Sequence, residues 1–414
     1  MRFTPHGTEV FHRLDTFCIP DSGLVPPYAL FQVEPRGGEL RLHHYDYRAR
    51  PSLLQAPATF RRLTSLPEEC GILGLGARTE PRQIYQLIVR AFDRHYASFD
   101  ARQMDWAAHK ARFAERANAL ETDEQLFDLL SEMVKPLRDG HVNVTWSGRT
   151  FSAASPKLRA RLRDAWATSG TTLTEGAFVS TWQRTVQESV YPLLDPGTRR
   201  SGANGALEWG TIADTIGYVR INRFSGFTAA NAERPVQFDS LDAALSRLKR
   251  DLAASAMFIV DVALNGGGSD PAAQLVASHF ADVRRPLLRY EVDRAAPNTI
   301  YVEPVGRGER RPVLLLTSEV TASAAEIFVL MMRAFPHVTH IGERTRGDLS
   351  SMLPKPFPNA FRVTLPYQRV FDDVGTSFEA VGIPPERSIV LFPEGDLTGG
   401  FAAALARLTR AGPR

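Results

Sequence analysis

The pattern of apolar and polar residues changes several times along the chain. Residues 1–76 contain short apolar runs broken by Pro and Gly, and the Gly37-Gly38 pair between two such runs is typical of a hairpin turn. Over residues 77–150 the apolar positions recur at helical spacing, and Thr122 with Gln125 forms a capping box before the clearest apolar stripe. The chain is therefore predicted to begin with a small β region, followed by a helical subdomain.

Short apolar strands then alternate with helices in the second half of the chain. Residues 151–212 show little periodicity apart from a predicted helix around 178–191, and we interpret them as a helical insert or linker. From residue 213 to 414 strand-like and helix-like runs alternate, at Ile216–Ile221, Leu241–Leu252, Met257–Val262, Pro271–Phe280, Val313–Leu316, Ala324–Arg333 and Val338–Ile341. This alternation predicts an α/β domain with a mainly parallel, buried sheet, whose ligand crevice lies at the carboxyl ends of the strands.

Composition and charge narrow the class of protein. With 43% hydrophobic and 23% charged residues, the 414-residue chain has the composition of an ordinary globular enzyme. The net charge is only +3, so nucleic acid is not an expected partner. No apolar run reaches the ~18 residues of a membrane span, and Met1–Thr16 lacks the apolar core of a signal peptide. As written, the sequence predicts a cytoplasmic protein; it would be periplasmic or secreted if a signal peptide had been removed.

The chain contains two glycine-rich segments, of which one is a candidate anion site. The segment DVALNGGG, residues 261–268, directly follows a predicted strand, and its three glycines free the backbone to turn sharply and expose N–H groups to an anion or oxyanion. A flexible strand-to-helix connection is the alternative. The other segment, GILGLG at 71–76, has neither dinucleotide-binding nor P-loop spacing, so no nucleotide cofactor is predicted.

A candidate nucleophile stands at the start of the predicted helix 324–333. Ser323 lies in TSEVTASAAE, residues 317–326, where a serine often serves only as a helix N-cap. Its neighbours Ala322 and Ala324 are small, however, so a carbonyl could approach the hydroxyl while the helix N-terminus offers N–H groups. A serine hydroxyl also needs a base that accepts its proton.

Histidine is the available base, because the chain has no lysine between Lys249 and Lys355. Packing or surface roles are expected for three histidines of the α/β domain, namely His279, His337 and His340. His141 instead lies in the glycine turn LRDGH beside Asp139. Glu379 could orient such an imidazole, although a lone glutamate is more often a solvated surface charge.

These segments together resemble the tail-specific, or C-terminal processing, protease family, and within it the branch that includes the catalytic core of tricorn protease. The matching segments stand in family order over about 81–390: LRDGH (137–141), IGYVRI (216–221), DVALNGGG (261–268), TSEVTASAAE (317–326), GERTRG (342–347) and EAVGIPPE (379–386). The resemblance implies a crotonase-like, ClpP-related α/β catalytic core. It also implies hydrolysis of peptides or unfolded proteins without a metal or organic cofactor.

The resemblance also assigns roles to residues. Ser323 matches the nucleophile, His141 the general base and Glu379 the carboxylate that supports the base, which completes a catalytic triad. The oxyanion hole matches Gly267, its neighbour Gly266, and the backbone N–H of Ala324.

The chain departs from the family pattern at several positions. In the branch with a lysine base, that lysine follows GERTRG, where this chain has Asp348-Leu349-Ser350-Ser351, so the histidine branch fits better. Gly140 stands where the tricorn-like branch has a serine, and Ala263 replaces the arginine of the DxRxN motif. Residues 151–212 do not have the strand pattern of a PDZ domain.

The predicted function is therefore a serine-type endopeptidase or carboxy-terminal processing peptidase that acts through an acyl-enzyme on Ser323. Two alternatives stay open: a non-catalytic scaffold for small ligands, like the retinoid-binding relatives of the family, and an esterase or amidase with the same nucleophile. The predicted domains are residues 1–76, 77–150, 151–212 and 213–414. Cleavage preference, oligomeric state and pairing of Cys18 with Cys70 are not determined by the sequence.

Overall fold

A computed structural model describes residues 78–410, except 155, 230–231, 233 and 293–296, and the backbone of seven short strands between residues 2 and 61. The chain divides into two compact units. The first unit comprises Met1–Ala154, Tyr290–Asn298 and Ser350–Arg369, and the second unit comprises Ser155–Arg289, Thr299–Leu349 and Val370–Arg414.

The described elements are as follows. In chain order the strands are β1 (Arg2–Thr4), β2 (Gly7–Glu9), β3 (Phe11–Arg13), β4 (Cys18–Pro20), β5 (Phe31–Arg36), β6 (Glu39–His44), β7 (Ala58–Arg61), β8 (Asn143–Trp146), β9 (Arg149–Ser152), β10 (Arg200–Gly202), β11 (Leu207–Ile212), β12 (Ile216–Ile221), β13 (Met257–Asp261), β14 (Arg285–Val292), β15 (Asn298–Val302), β16 (Val313–Thr317), β17 (Val338–Gly342), β18 (Met352–Pro356), β19 (Arg362–Pro366), β20 (Gln368–Asp372) and β21 (Arg387–Ser388). The α-helices are α1 (Pro81–His95), α2 (Trp106–Ala111), α3 (Ala114–Asn118), α4 (Asp123–Val134), α5 (Lys157–Thr168), α6 (Glu175–Glu188), α7 (Arg234–Asp251), α8 (Asp270–Phe280), α9 (Ala324–Arg333) and α10 (Gly399–Arg410).

The predicted N-terminal hairpin is present. Strands β5 and β6 pair antiparallel, and their register closes at Arg36 opposite Glu39. Its Gly37-Gly38 turn, the GILGLG segment and Cys70 lie outside the described residues, so the pairing of the two cysteines stays open.

Helices α1–α4 and a four-stranded sheet in the order β18-β19-β8-β9 belong to the first unit. The capping box of α4 is confirmed, since the Thr122 hydroxyl accepts the N–H of Gln125 and the Gln125 side chain accepts the N–H of Thr122. Apolar residues of α1 and α4 pack with inward residues of this sheet into one core. This packing supports the β8 end that follows the LRDGH turn.

The second unit contains a seven-stranded sheet in the order β10-β11-β12-β13-β16-β17-β21. All neighbours from β12 to β21 pair parallel, and β12 and β13 are buried along their whole length, as a sheet covered by helices on both faces requires. The predicted α/β fold with a mainly parallel sheet is confirmed.

Neither β10 nor β11 was expected, because both strands lie within residues 151–212. Strand β11 lies inside the segment interpreted as a helical insert, yet it pairs antiparallel with β12 over its full length. Its Leu207, Trp209 and Ile212 are buried, whereas α5 and α6 provide the helical part of the same segment. A run of six residues is too short for apolar periodicity to separate a strand from a loop.

Three sequence motifs follow adjacent parallel strands at one edge of this sheet. Asp261 ends β13 opposite Leu316, while Thr317 ends β16 opposite Gly342. The carboxyl ends of these strands therefore place DVALNGGG, TSEVTASAAE and GERTRG beside one another, as predicted.

Strands β15, β14 and β20 form a further small sheet in that order. No helix among the described residues is both long and apolar enough to cross a lipid bilayer.

Candidate active site

Ser323 has a backbone conformation that is rare for a residue with a side chain. It lies between β16 and α9, with φ +58° and ψ −129°, and its side chain is partly exposed. Such a conformation costs roughly 1–3 kcal/mol and persists only where the surroundings enforce it. A strained serine at a strand-to-helix turn is typical of an exposed catalytic nucleophile.

The glycine loop packs directly against Ser323. Gly267 has φ +107°, and a Cβ atom on it would lie 2.7 Å from the Ser323 Cβ and 2.8 Å from the Ala322 carbonyl oxygen. The Ala322 N–H also donates to the Asn265 carbonyl oxygen at 3.2 Å. The structure thus brings together the two motifs that the sequence separates by about 55 residues, and only glycine fits at position 267.

The backbone amides near Ser323 differ in their hydrogen bonding. The Gly267 N–H donates to Asn265 Oδ1 at 2.8 Å, whereas the N–H groups of Gly266 and Ala324 donate to no other group of the described residues. Ala324 is the first residue of α9, where N–H groups lack helical partners and favour negative charge. Two of the three predicted oxyanion donors are therefore open, and the third is held by Asn265.

A buried ionic cluster supports the start of the glycine loop. Asp261 Oδ2 accepts the Tyr218 hydroxyl at 2.5 Å and Arg220 Nε at 3.3 Å, while Oδ1 accepts the Ala263 N–H at 2.9 Å. Burial raises the pKa of Tyr218 well above its usual value. Arg220 on β12 thus brings a guanidinium to Asp261, although position 263 lacks the arginine of the family motif.

Glu326, three residues after Ser323, is completely buried and accepts four hydrogen bonds. The Thr345 hydroxyl and the Gly347 N–H donate to Oε1, both at 2.6 Å. The N–H groups of Asp348 and Ser323 donate to Oε2 at 2.8 and 3.1 Å. Burial, and then the charge of Asp348, raise the pKa of Glu326 to about 7 against the opposing effect of these donors.

Glu379 is also buried, which removes the alternative of a solvated surface charge. Its Oε2 accepts the Leu349 N–H at 3.0 Å, and the carbonyl of the preceding Asp348 accepts the Ser323 N–H at 3.0 Å. Ser323 and Glu379 therefore contact adjacent residues of one segment in the second unit.

His141 lies in the first unit, where a buried carboxylate shapes its turn. Asp139 Oδ1 accepts the backbone N–H of His141 at 2.9 Å, and Oδ2 accepts the Tyr96 hydroxyl at 2.7 Å and pairs with Arg102 Nε at 3.0 Å. The His141 carbonyl accepts the Thr364 hydroxyl at 2.7 Å. The backbone of the predicted base is thus fixed within its own unit, and its pairing with Ser323 stays a prediction.

The other three histidines have structural partners. His279 bonds Asp242 at 2.9 Å, and His337 bonds the Phe280 carbonyl at 3.0 Å. His340 bonds the Thr317 hydroxyl at 2.7 Å, and burial lowers its pKa to about 3. These contacts agree with the packing roles expected from sequence.

The sequence pattern did not indicate a role at the site for Glu326, Thr345 or Asp348. A signal for the first was present, because Ser323-Ala-Ala-Glu326 has the spacing of a capping box. Within the described ranges no group of three His, Cys, Asp or Glu side chains could hold a metal ion.

Comparisons with known proteins identify similar families and similar folds. Residues 215–389 match the model of Peptidase family S41, and residues 77–135 match the model of the Tricorn protease C1 domain. A Parabacteroides merdae ATCC 43184 protein described as a peptidase is similar at 24% identity with a TM-score of 0.60, covering 80% of this chain and 96% of that chain.

Two structures of mature CPAF are also similar. The first has 11% identity and a TM-score of 0.58, covering 81% of this chain and 98% of that chain. The second, a complex with lactacystin, has 12% identity and a TM-score of 0.57, covering 80% and 98%. At these identities the structural similarities show the fold.

Proposed function

The chain carries a Peptidase family S41 domain and is a serine-type peptidase of the tail-specific protease family, as its motifs predict, and from this premise we propose that it cleaves peptide bonds through an acyl-enzyme on Ser323. It would act as an endopeptidase or as a carboxy-terminal processing peptidase, on peptides or unfolded proteins. The observation that carries the proposal is the glycine-like backbone of Ser323 at the N-terminus of α9, with Gly267 packed against it.

In this proposal the reaction has two proton transfers in each half. His141 takes the proton of the Ser323 hydroxyl while the oxygen attacks the substrate carbonyl carbon, and the new C–O bond places negative charge on the carbonyl oxygen. His141 then donates the proton to the leaving nitrogen, and the C–N bond breaks. Water repeats the sequence on the ester and releases the acid and free Ser323.

The oxyanion would be stabilised by backbone N–H groups. The N–H of Ala324 supports this role, because Ala324 is the first residue of the helix after Ser323 and its N–H has no acceptor among the described residues. Gly266 and Gly267 would supply the second donor from the glycine loop. For Gly267 to donate, its N–H would have to leave the Asn265 side chain that it contacts at 2.8 Å.

Glu379 would support the imidazolium form of His141. Its burial supports this role, since a carboxylate in a low-dielectric site stabilises a neighbouring cation more strongly than one in water. Its bond from the Leu349 N–H would hold one carboxylate oxygen in place.

Fluorophosphonate labelling and a peptide library test the proposal together. We expect wild type to be labelled at Ser323, and Ser323→Ala and His141→Ala to lose ~10³-fold or more of their peptide turnover, as triad deletions do. Glu379→Gln should lose less. Ser180→Ala, at an exposed serine of α6, is the control and should behave as wild type.

The outcomes separate the competing functions. A folded wild type that is not labelled and cleaves nothing would favour a ligand-binding scaffold. Labelling with hydrolysis of small esters or amides, but of no peptide in the library, would indicate an esterase or amidase. Unchanged peptide cleavage by folded Ser323→Ala would reject Ser323 as the nucleophile.

A further inference from the structure

We propose that Glu326 is a positioning residue, which holds the backbone of Ser323 and the segment 345–349 in one fixed arrangement and thereby sets the nucleophile relative to Glu379. This inference rests on the proposed function, since it assumes that Ser323 is the nucleophile. Glu326 would not touch the substrate.

Glu326 contacts two separate segments of the chain, the start of its own helix and residues 345–348. Its carboxylate is fully buried in α9, and its two oxygens accept four hydrogen bonds of 2.6–3.1 Å from a hydroxyl and three backbone N–H groups. Three of the donors belong to residues 345–348, which lie about 20 residues further along the chain. A carboxylate that served only to cap α9 would need donors from its own helix start.

Ser323 itself has a strained backbone. The N–H of Ser323 faces both Glu326 Oε2 at 3.1 Å and the Asp348 carbonyl oxygen at 3.0 Å, on the two sides of the strained residue. Because φ +58° with ψ −129° is unfavourable for serine, the turn would relax without such constraints. Glu326 provides one constraint directly, and it provides the other by holding the N–H of Asp348.

The hydrogen bonds of segment 345–349 extend from Glu326 to Glu379. The Thr345 hydroxyl donates to Glu326 and accepts the Ile383 N–H at 2.7 Å, so one oxygen joins α9 to the segment after Glu379. Gly347 donates its N–H to Glu326, and its carbonyl accepts the Ala380 N–H at 2.8 Å. Leu349, two residues later, donates to Glu379 itself.

These segments have little room to slide past one another. Gly347 has φ +90°, and a Cβ atom on it would lie 2.7 Å from the Gly382 nitrogen, so the backbones are in direct contact. A change at the centre of the network should therefore move Ser323 and Glu379 relative to each other. A misplacement of about 1 Å in an active site can cost ~10²-fold in rate.

Glutamine at position 326 is the sharpest perturbation at pH 8, where Glu326, with its pKa of about 7, is ionised and accepts with both oxygens. It keeps the shape of the side chain, but its NH₂ group must face donors that now face an oxygen, and buried donors without an acceptor are costly. Two substitutions at Thr345 test the same network from outside the helix. Thr345→Val removes the hydroxyl that joins Glu326 to Ile383, and Thr345→Ser keeps it.

Glu309→Gln is the matched control. Glu309 is a buried glutamate of the same unit, bound by Arg311 at 2.7 and 2.8 Å, and it has no part in the contacts of Ser323. Its substitution should lower stability without altering the active site. The readouts are kcat and KM on a cleaved peptide, the rate of fluorophosphonate labelling, and the Tm.

We expect Glu326→Gln and Thr345→Val to lower kcat and the labelling rate by ~10- to 100-fold, with KM within about twofold of wild type. Thr345→Ser should recover most of the rate, and Glu309→Gln should keep wild-type kcat despite a lower Tm.

A folded Glu326→Gln protein with the kcat and labelling rate of Glu309→Gln would overturn the inference while leaving the proposed function intact. If Glu326→Gln does not fold, the Thr345 variants decide: wild-type kcat in Thr345→Val would overturn it. A wild-type protein that is neither labelled nor active would overturn the proposed function, and the inference with it.

Discussion

We expect Gly267→Ala to lose nearly all activity, because the new methyl group would enter the space beside the nucleophile. A Cβ at this position would lie 2.7 Å from the Ser323 Cβ and 2.8 Å from the Ala322 carbonyl oxygen. Carbon atoms in contact prefer about 3.5–4.0 Å, so the glycine loop or Ser323 must move by about 1 Å.

Gly267→Ala should affect both the free energy of unfolding and kcat. Alanine at φ +107° costs roughly 1–3 kcal/mol in backbone strain, and the overpacked methyl group adds about 1–3 kcal/mol. The sum, about 2–6 kcal/mol, exceeds only the lowest part of the ~5–15 kcal/mol that stabilises a typical domain, so most of the protein should stay folded at low temperature. The displacement of about 1 Å should lower kcat by ~10²-fold or more.

Steady-state peptide cleavage, with urea unfolding of the same preparations, measures both parts. Gly266→Ala is the close comparison: its Cβ would meet no described atom within 4 Å, so it should lose much less activity. Gly176→Ala, in α6 and equally unobstructed, should leave kcat unchanged. If folded Gly267→Ala cleaves peptides at the wild-type rate, the loop does not adjoin the reacting hydroxyl and the reasoning fails.

Three further predictions concern buried charges. The pKa of Glu326 is raised from 4.5 to about 7 in the folded protein, so the folded state binds the proton of this carboxyl more tightly than the unfolded state does. The resulting contribution to the free energy of unfolding is complete below pH ~4.5 and is lost as the pH rises through ~7, by on the order of 3 kcal/mol. Between pH 5 and pH 8 the urea midpoint should therefore fall further for wild type than for Glu326→Gln. Equal falls in the two proteins would contradict this prediction. Asp139→Asn should destabilise the first unit by about 3–5 kcal/mol and lower kcat, because the buried carboxylate pairs with a guanidinium and holds the His141 backbone; an unchanged Tm and kcat would refute the role. Arg220→Met should likewise lower the unfolding free energy by about 3–5 kcal/mol, since it leaves Asp261 buried without its cation, and a urea midpoint equal to that of wild type would contradict the prediction.

Local patterns were sufficient to predict much of this protein. Helices and parallel strands follow from apolar spacing that each segment carries within itself, as the capping box of Thr122 and the alternation from Ile216 onwards illustrate. The edge of the sheet that carries the motifs follows as well, because parallel strands bring their carboxyl ends to one side. Ser323 could be proposed as a nucleophile because a helix start is recognisable from neighbouring residues alone.

Long-range contacts decided the rest. The residues next to Glu379 in the sequence suggest an exposed charge. In the fold Glu379 is buried, and its carboxylate accepts the N–H of Leu349, 30 residues away. The sequence spacing of Glu326 indicates a helix cap. Only in the fold do residues 345–348 donate hydrogen bonds to it and make it the centre of a network. A side chain's neighbours along the chain determine its local conformation, whereas its burial and charge state depend on what the folded chain places opposite it.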